Sequence, residues 1–346
     1  MRISSLHSPA GRMHEEGHRP RGRGQPDGLS SVHGGGLLSL GVLLEARQLG
    51  KDYGPTRAVG EVSFAVDEGE IFGLLGPNGA GKTTTISMIA GVLKPTRGTA
   101  VVAGHDVIRD SFAARREIGL VPQDLALYEE LSAVQNLRFF ASLYGVTRSA
   151  MAERVDWALS LEGLSDRATR KVSTFSGGMK RRLNLVAGLI HRPKLVILDE
   201  PTVGVDPQSR NFLFEAIEGL AQEGMSIVYT SHYMEEVETL CKRIAIVDQG
   251  EIVAEGDVTT LLAEHATETL TIEFLGDEAK ARDALASYSD VEVSEGRVSV
   301  AGDVVLSELV RSLETAHIGI KRVASSEPNL ESVFLSLTGH TLRDGQ

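Results

Sequence analysis

The sequence has a single cysteine, Cys241, so no disulfide can form within the chain and no cysteine cluster can hold a metal. That usage fits a reducing compartment, and Cys241 itself reads as a packed thiol late in a helix. Long apolar runs are also missing. The longest, Leu37 to Leu44 and Leu183 to Ile190, are short and broken by Ser, Gly or Asn, well below the roughly 20 residues a membrane helix needs. Any service to a membrane would run from its surface or through a partner. There is no excess of positive charge: Lys and Arg number 35 against 47 Asp and Glu, for a net charge of -12. This argues against a surface built mainly for nucleic acid, whose phosphates favour a basic face. No compact apolar stretch follows a basic start, so a secretory signal is not expected.

What is present suits a globule of two domains, with 346 residues of which 42 % are hydrophobic. Residues 1 to 41 are rich in Arg, Gly, Ser, Pro and His without periodicity and are expected to be disordered; one explanation is a native start near Met13 or Val42. From Val42 to Gly256, short aliphatic runs alternate with longer helical ones, as a mostly parallel sheet flanked by helices requires. The strands that matter are predicted at Ile71 to Leu75, Ile118 to Val121, Leu195 to Leu198 and Ile227 to Thr230. A helical insertion, roughly Leu131 to Arg170, lies between them. Ile244 to Val247 and Glu251 to Ala254 flank Asp248-Gln249-Gly250 as a hairpin. Beyond Asp257 the order becomes strand, helix, strand, strand, helix, strand, which matches a ferredoxin-like unit. A last helix, Asn329 to Leu337, is ended by Gly339.

Gly76-Pro77-Asn78-Gly79-Ala80-Gly81-Lys82-Thr83 fits G-x-x-x-x-G-K-[ST], after an apolar strand and before a helix predicted through Leu93. Glycines let successive N–H groups turn inward on phosphate oxygens, and the helix N-terminus adds partial positive charge. Lys82 would reach the β- and γ-phosphates, and Thr83, followed by Thr84, would offer its hydroxyl to Mg²⁺. The aliphatic run Leu195 to Leu198 ends in Asp199-Glu200, as expected of a central parallel strand whose carboxyl end borders a ligand crevice. Asp199 can hold Mg²⁺ directly or through water. Glu200 can polarise the water that attacks a γ-phosphate.

Phosphate loops serve kinases, GTPases, helicases and transporters alike. Ser176-Gly177-Gly178-Met179-Lys180, followed by Arg181-Arg182-Leu183 and the segment Asp199-Glu200-Pro201-Thr202, closely resembles the signature of ABC ATPases. The commonest family form is Leu-Ser-Gly-Gly-Gln; Phe175 and Met179 replace its first and last residues here. The Ser-Gly-Gly-Met-Lys-Arg-Arg version resembles the branch that energises ABC-2-type exporters, including those of the multidrug, daunorubicin-resistance-like kind. Ser176 can cap the helix that follows and, with the N–H groups of Gly177 and Gly178, present a second anion-binding helix end.

The resemblance covers Leu44 to Ala254 and implies further roles. Tyr53 matches the aromatic that stacks on adenine. Gln123 matches the glutamine that touches Mg²⁺ and links hydrolysis to the membrane partner. Asp206 matches the aspartate that crosses a dimer interface, and His232 the switch histidine near the γ-phosphate. The signature end contacts the γ-phosphate held by the other subunit. The implied fold is α/β: a P-loop ABC ATPase domain, 42–256, with a helical subdomain at about 124–176, and a small α+β ferredoxin-like accessory domain, 257–346. Ser325-Ser326-Glu327-Pro328-Asn329-Leu330-Glu331-Ser332-Val333-Phe334 resembles the end of that accessory domain.

The implied activity is ATP hydrolysis, with ATP and Mg²⁺, by a homodimer or heterodimer that drives export through a separate ABC-2-type permease. The expected location is cytoplasmic, peripheral on the inner face of the cell membrane, with no nucleic-acid partner. The alternative is a soluble, non-transport ABC ATPase, such as a translation factor or an iron–sulfur assembly ATPase. Translation factors of the family carry two ATPase units, and only one phosphate loop is present; DNA-repair relatives interpose long coiled coils for which there is no room. Drug, antibiotic, lipid, polysaccharide and ion all stay open as cargo.

Overall fold

The computed structural model describes residues 41–266, 269–288, 291–294, 296–301, 305–326 and 329–339. The expectation for residues 1 to 41 thus falls, but for Gly41, outside the described residues, as do Glu327 and Pro328 of the accessory motif.

Two sheets organise the segment from Val42 to Asp257. Strands β1 (Val42–Tyr53), β2 (Thr56–Asp67), β4 (Arg97–Val102) and β5 (His105–Asp106) make an antiparallel sheet in the order β2-β1-β4-β5. Strands β3 (Ile71–Leu75), β6 (Ile118–Val121), β7 (Leu195–Asp199), β8 (Ser226–Ser231), β9 (Arg243–Asp248) and β10 (Glu251–Asp257) make the second, in the order β10-β9-β3-β8-β7-β6. Its members pair in parallel except for β10 on β9. Burial on both faces explains the unbroken aliphatic runs: every residue of β7 and β8 is buried.

Helix α1 (Lys82–Ile89) lies between the sheets, with Ile86, Met88 and Ile89 in one core beside Leu44 and Val62 of the first sheet and Phe72 and Leu74 of the second. Each such fully buried side chain contributes roughly 1.5–3 kcal/mol. The helix stops at Ile89, short of the expected Leu93. Gly91 takes the left-handed conformation (φ 66), and the N–H groups of Val92 and Leu93 turn back onto the Ser87 carbonyl, closing the C-terminus.

Helices α2 (Ser111–Arg116), α3 (Ala133–Leu143), α4 (Arg148–Leu161) and α5 (Gly177–Leu189) follow. A separate core of Leu137, Ala141, Val155, Leu159 and Leu183 joins α3, α4 and α5. The far face of the second sheet carries α6 (Pro207–Gln222), α7 (Met234–Leu240) and α8 (Val258–His265). The β9–β10 hairpin turns through Gln249 (φ 47) and Gly250 (φ 83), as a two-residue turn of this hand requires. Its tip braces the phosphate loop, since the Gly250 N–H donates to Ala80 O and its carbonyl accepts from the Gly60 N–H.

Strands β11 (Thr269–Leu275), β12 (Val291–Ser294), β13 (Arg297–Ala301) and β14 (Gly319–Ser326), with α9 (Glu278–Leu285) and α10 (Leu306–Thr315), form an antiparallel sheet ordered β12-β13-β11-β14. This is the pairing of a split βαβ unit, with its own core of Ile272, Phe274, Val298, Leu309 and Leu313. Helix α11 (Leu330–Thr338) packs elsewhere: Leu330, Val333 and Phe334 join Val237, Leu240, Val258 and Leu261 of α7 and α8. The segment 257–346 therefore contributes to two cores.

Candidate nucleotide site

Strand β3 runs straight into the glycine-rich loop. Gly76 is there because nothing larger fits: a Cβ would lie 2.2 Å from the Val247 carbonyl oxygen. Gly81, at φ 99, starts α1 from a conformation that side chains rarely adopt, and no side chain caps the helix, so its first N–H groups face outward for an anion. A cleft of about 260 Å³ opens here, bordered by Asn78, Gly79, Gly81, Lys82, Thr83, Thr84, Gln123 and Glu200. Ala80 is buried under the loop, its N–H donating to Pro77 O.

Lys82 is only 4 % exposed, and its Nζ donates to the carbonyls of Gly76 (2.7 Å) and Pro77 (3.0 Å) and lies 3.3 Å from Glu200 Oε1. Burial lowers its pKa, against the opposing pull of Glu200 and Asp199. Thr83 Oγ1 donates to Asp199 Oδ1 at 3.3 Å, and Thr230 Oγ1 donates to the same oxygen at 2.9 Å. Burial raises the Asp199 pKa, offset in part by those two hydroxyls. Gln123 Nε2 donates to Glu200 Oε2 at 3.3 Å. His232 Nδ1 is 3.0 Å from that oxygen, without the alignment of a hydrogen bond. Glu200 sits at φ 45, a strained angle for a side chain that is not glycine, and its N–H is held by Thr230 Oγ1 at 3.0 Å.

The acid, amide, imidazole and ammonium groups predicted from four separate stretches thus converge on one cleft. The donors around Asp199 are oxygens, which suits a hard cation such as Mg²⁺. Among the described residues no three His, Cys, Asp or Glu side chains gather as a metal cluster. A cation here would take Asp199, Thr83 and Gln123 together with substrate oxygens and water.

Of the other predicted residues, Gly76, Pro77, Ala80, Asp199 and His232 stand behind the lining, and Tyr53, Ser176, Gly177, Gly178 and Asp206 lie apart from it. Tyr53 ends β1 and is half exposed, with Lys51 Nζ 5.2 Å from its ring centre. Ser176 caps α5, its Oγ accepting the Met179 N–H at 3.3 Å, with Gly177 and Gly178 in the first turn. Gly178 abuts α6, since a Cβ there would meet Ser209 Oγ at 2.5 Å. Asp206 caps α6 by accepting from Ser209 N (3.0 Å) and Oγ (2.7 Å), and these bonds lower its pKa.

Sequence reasoning missed Thr230 and Arg181. Thr230 is register partner to Asp199 across β7 and β8, a neighbour that only strand order reveals. Arg181 is buried, and its guanidinium donates to the carbonyls of Gln123 and Val203, tying the signature helix to the loops on either side of the cleft. Its place within the Lys180-Arg181-Arg182 run gave no sign that one of three cations points inward. A larger cleft of about 470 Å³ lies apart, bordered by Arg116, Tyr144, Arg154, His191 and Arg192, and holds none of the phosphate-loop residues. Chemistry rather than volume therefore selects the site.

Comparison with known proteins agrees. A family profile described as ABC transporter matches residues 59–203, which include the phosphate loop, the signature and the carboxylate pair. The chain is 44 % identical over 311 residues to the linearmycin resistance ATP-binding protein of Bacillus subtilis (strain 168), covering 87 % of this chain and 100 % of that one. It is 38 % identical over 299 residues to a daunorubicin resistance ATP-binding protein of Streptomyces coeruleorubidus, covering 85 % and 95 %. A solved structure of an ATP-binding subunit of an ABC transporter superposes with a TM-score of 0.59 at 32 % identity, over 64 % of this chain and 92 % of the other. With similarity of this depth running the full length of a relative, the chain belongs to the ABC transporter family, as one of its ATP-binding, ATP-hydrolysing proteins.

Proposed function

We propose that this chain binds ATP with Mg²⁺ in the phosphate-loop cleft, works as a dimer, and drives export through a separate ABC-2-type permease from the cytoplasmic face of the membrane. Among the described residues no helix is long and apolar enough to cross a membrane. The export reading is supported by the relatives, whose names record resistance to linearmycin and daunorubicin. Drug or antibiotic export is accordingly the cargo class we favour.

One observation carries the hydrolytic reading: the Glu200 carboxylate is held between Lys82, Gln123 and His232 at the mouth of the cleft. On binding, Lys82 exchanges its two carbonyl contacts for phosphate oxygens, which frees Glu200 Oε1 to orient the attacking water. Phosphoryl transfer asks for positioning and charge stabilisation, and both come from groups already in place. Mg²⁺ would neutralise charge between the β- and γ-phosphates, held by Thr83, Asp199 and Gln123. His232 and Gln123 keep the Glu200 side chain facing the nucleotide. Ser176, Gly177 and Gly178 complete the partner's site, Asp206 crosses the interface, and Tyr53 stacks on adenine; the exposure of Tyr53 suits that task.

The test is Glu200→Gln. The variant is expected to bind ATP, lose turnover by at least about a hundredfold and accumulate as an ATP-bound dimer on sizing. Undiminished turnover with no dimer would remove the assignment.

A further inference from the structure

Glu236, on α7, has no part in the chemistry described above, yet it is 2 % exposed. Its Oε2 accepts three hydroxyls: Thr202 Oγ1 at 2.8 Å, Tyr229 Oη at 2.8 Å and Ser231 Oγ at 3.0 Å. Its Oε1 faces Arg210 Nε at 3.6 Å, and neither of those two atoms has a hydrogen bond. Burial first, and the neighbouring Glu236 second, push the Tyr229 phenol well above its ordinary range, so it stays protonated and donates.

The four partners come from three segments. Thr202 stands two residues after Glu200. Ser231 directly precedes His232, and its Oγ also accepts the Tyr233 N–H at 2.9 Å, so the backbone on both sides of the imidazole is held. Arg210 lies in the first turns of α6, its N–H bonded to the carbonyl of Asp206. A single buried carboxylate therefore joins the loops that carry Glu200, His232 and Asp206. Packing alone would not call for it, because an apolar side chain of the same volume avoids the desolvation that a buried acid incurs.

We infer that Glu236 is a positioning residue for ATP hydrolysis, holding the Glu200 and His232 loops and the start of α6 in one register. The inference rests on the hydrolytic reading of Glu200 and His232. None of its hydrogen bonds reaches the phosphate loop, so it acts on turnover and leaves nucleotide affinity alone.

In Glu236→Gln the amide oxygen can still accept the hydroxyls, but the neutral group no longer draws Arg210 and its bonds lose the charge that about doubles their strength. The kcat is expected to fall roughly tenfold, while affinity for a non-hydrolysable ATP analogue, read by calorimetry, stays within about twofold. Thr202→Val, which deletes one donor, is expected to lower kcat about threefold with the same unchanged affinity. In a His232→Ala background, Glu236→Gln is expected to lower the remaining kcat by clearly less than tenfold, because the His232 loop is one of the routes through which it acts.

A wild-type kcat in Glu236→Gln overturns the inference. So does a loss of the same size in the His232→Ala background as in the native chain, or a lower melting temperature with kcat per folded molecule unchanged. Glu200→Gln, assayed alongside, separates the two readings. Unimpaired turnover there removes the site on which the inference rests, whereas an inactive Glu200→Gln beside an unimpaired Glu236→Gln removes the inference alone.

Discussion

Glu162 closes the C-terminus of α4 and is fully buried, and neither carboxyl oxygen has a hydrogen-bond partner. Arg182 is near, but its Nη1 donates to the main-chain oxygen of Glu162 at 2.9 Å. Burial accordingly outweighs the Arg182 charge and pushes the carboxyl from 4.5 up to about 8. Between those values the folded chain keeps a proton that the unfolded chain has released. Stability is thus fully present below pH 4.5 and is lost as pH rises towards 8. At about 1.4 kcal/mol per pH unit, the loss reaches about 3 kcal/mol at pH 7 and about 5 kcal/mol well above pH 8. Glu162→Gln keeps the shape and removes the titration. Melting temperatures of the two proteins, measured from pH 5 to 9, should diverge as pH rises. The variant should gain on the wild type by roughly 5 °C between pH 5 and 7, at about 2 °C per kcal/mol for a chain of this size. Any constant offset from burying an amide leaves that divergence intact. Parallel curves across the range would refute the account of Glu162 as a protonated, unpartnered acid.

Further tests address the site. Gly76→Ala would force a Cβ to within 2.2 Å of the Val247 carbonyl, which cannot swing aside as a side chain could, so a loss of roughly 2–3 kcal/mol and weakened ATP binding are expected in a melt and a nucleotide titration. Ser176→Arg should leave ATP binding by the isolated subunit unchanged while blocking closure, read by a crosslink between cysteines placed across the proposed dimer interface. Undisturbed closure would count against the signature meeting the partner's phosphate.

Much of the site was legible because its devices are local. The phosphate loop works through backbone geometry within one short stretch, so Gly76, Gly81, Lys82 and Thr83 can be read wherever they occur between a strand and a helix. Asp199 and Glu200 follow from an aliphatic run that only a doubly covered strand tolerates. Ser176 and Asp206 carry cap signals for the helices they start, and both act as caps. The expected extent of α1, through Leu93, failed at Gly91, whose left-handed backbone ends the helix.

By itself, then, the sequence determined the element order, the phosphate loop, the carboxylate pair and the family, each written in short-range sterics or in a contiguous motif. Tertiary structure alone decided what stands beside what. Thr230 meets Asp199 because β8 pairs with β7 in that register; Arg181 turns inward between two loops; Glu236 collects donors from three segments; α11 crosses back to the core of α7 and α8. Glu162 lies in a polar-looking stretch and becomes unpartnered only when α4 packs. Such contacts join residues tens of positions apart, and their geometry depends on strand order and helix packing that no local pattern encodes.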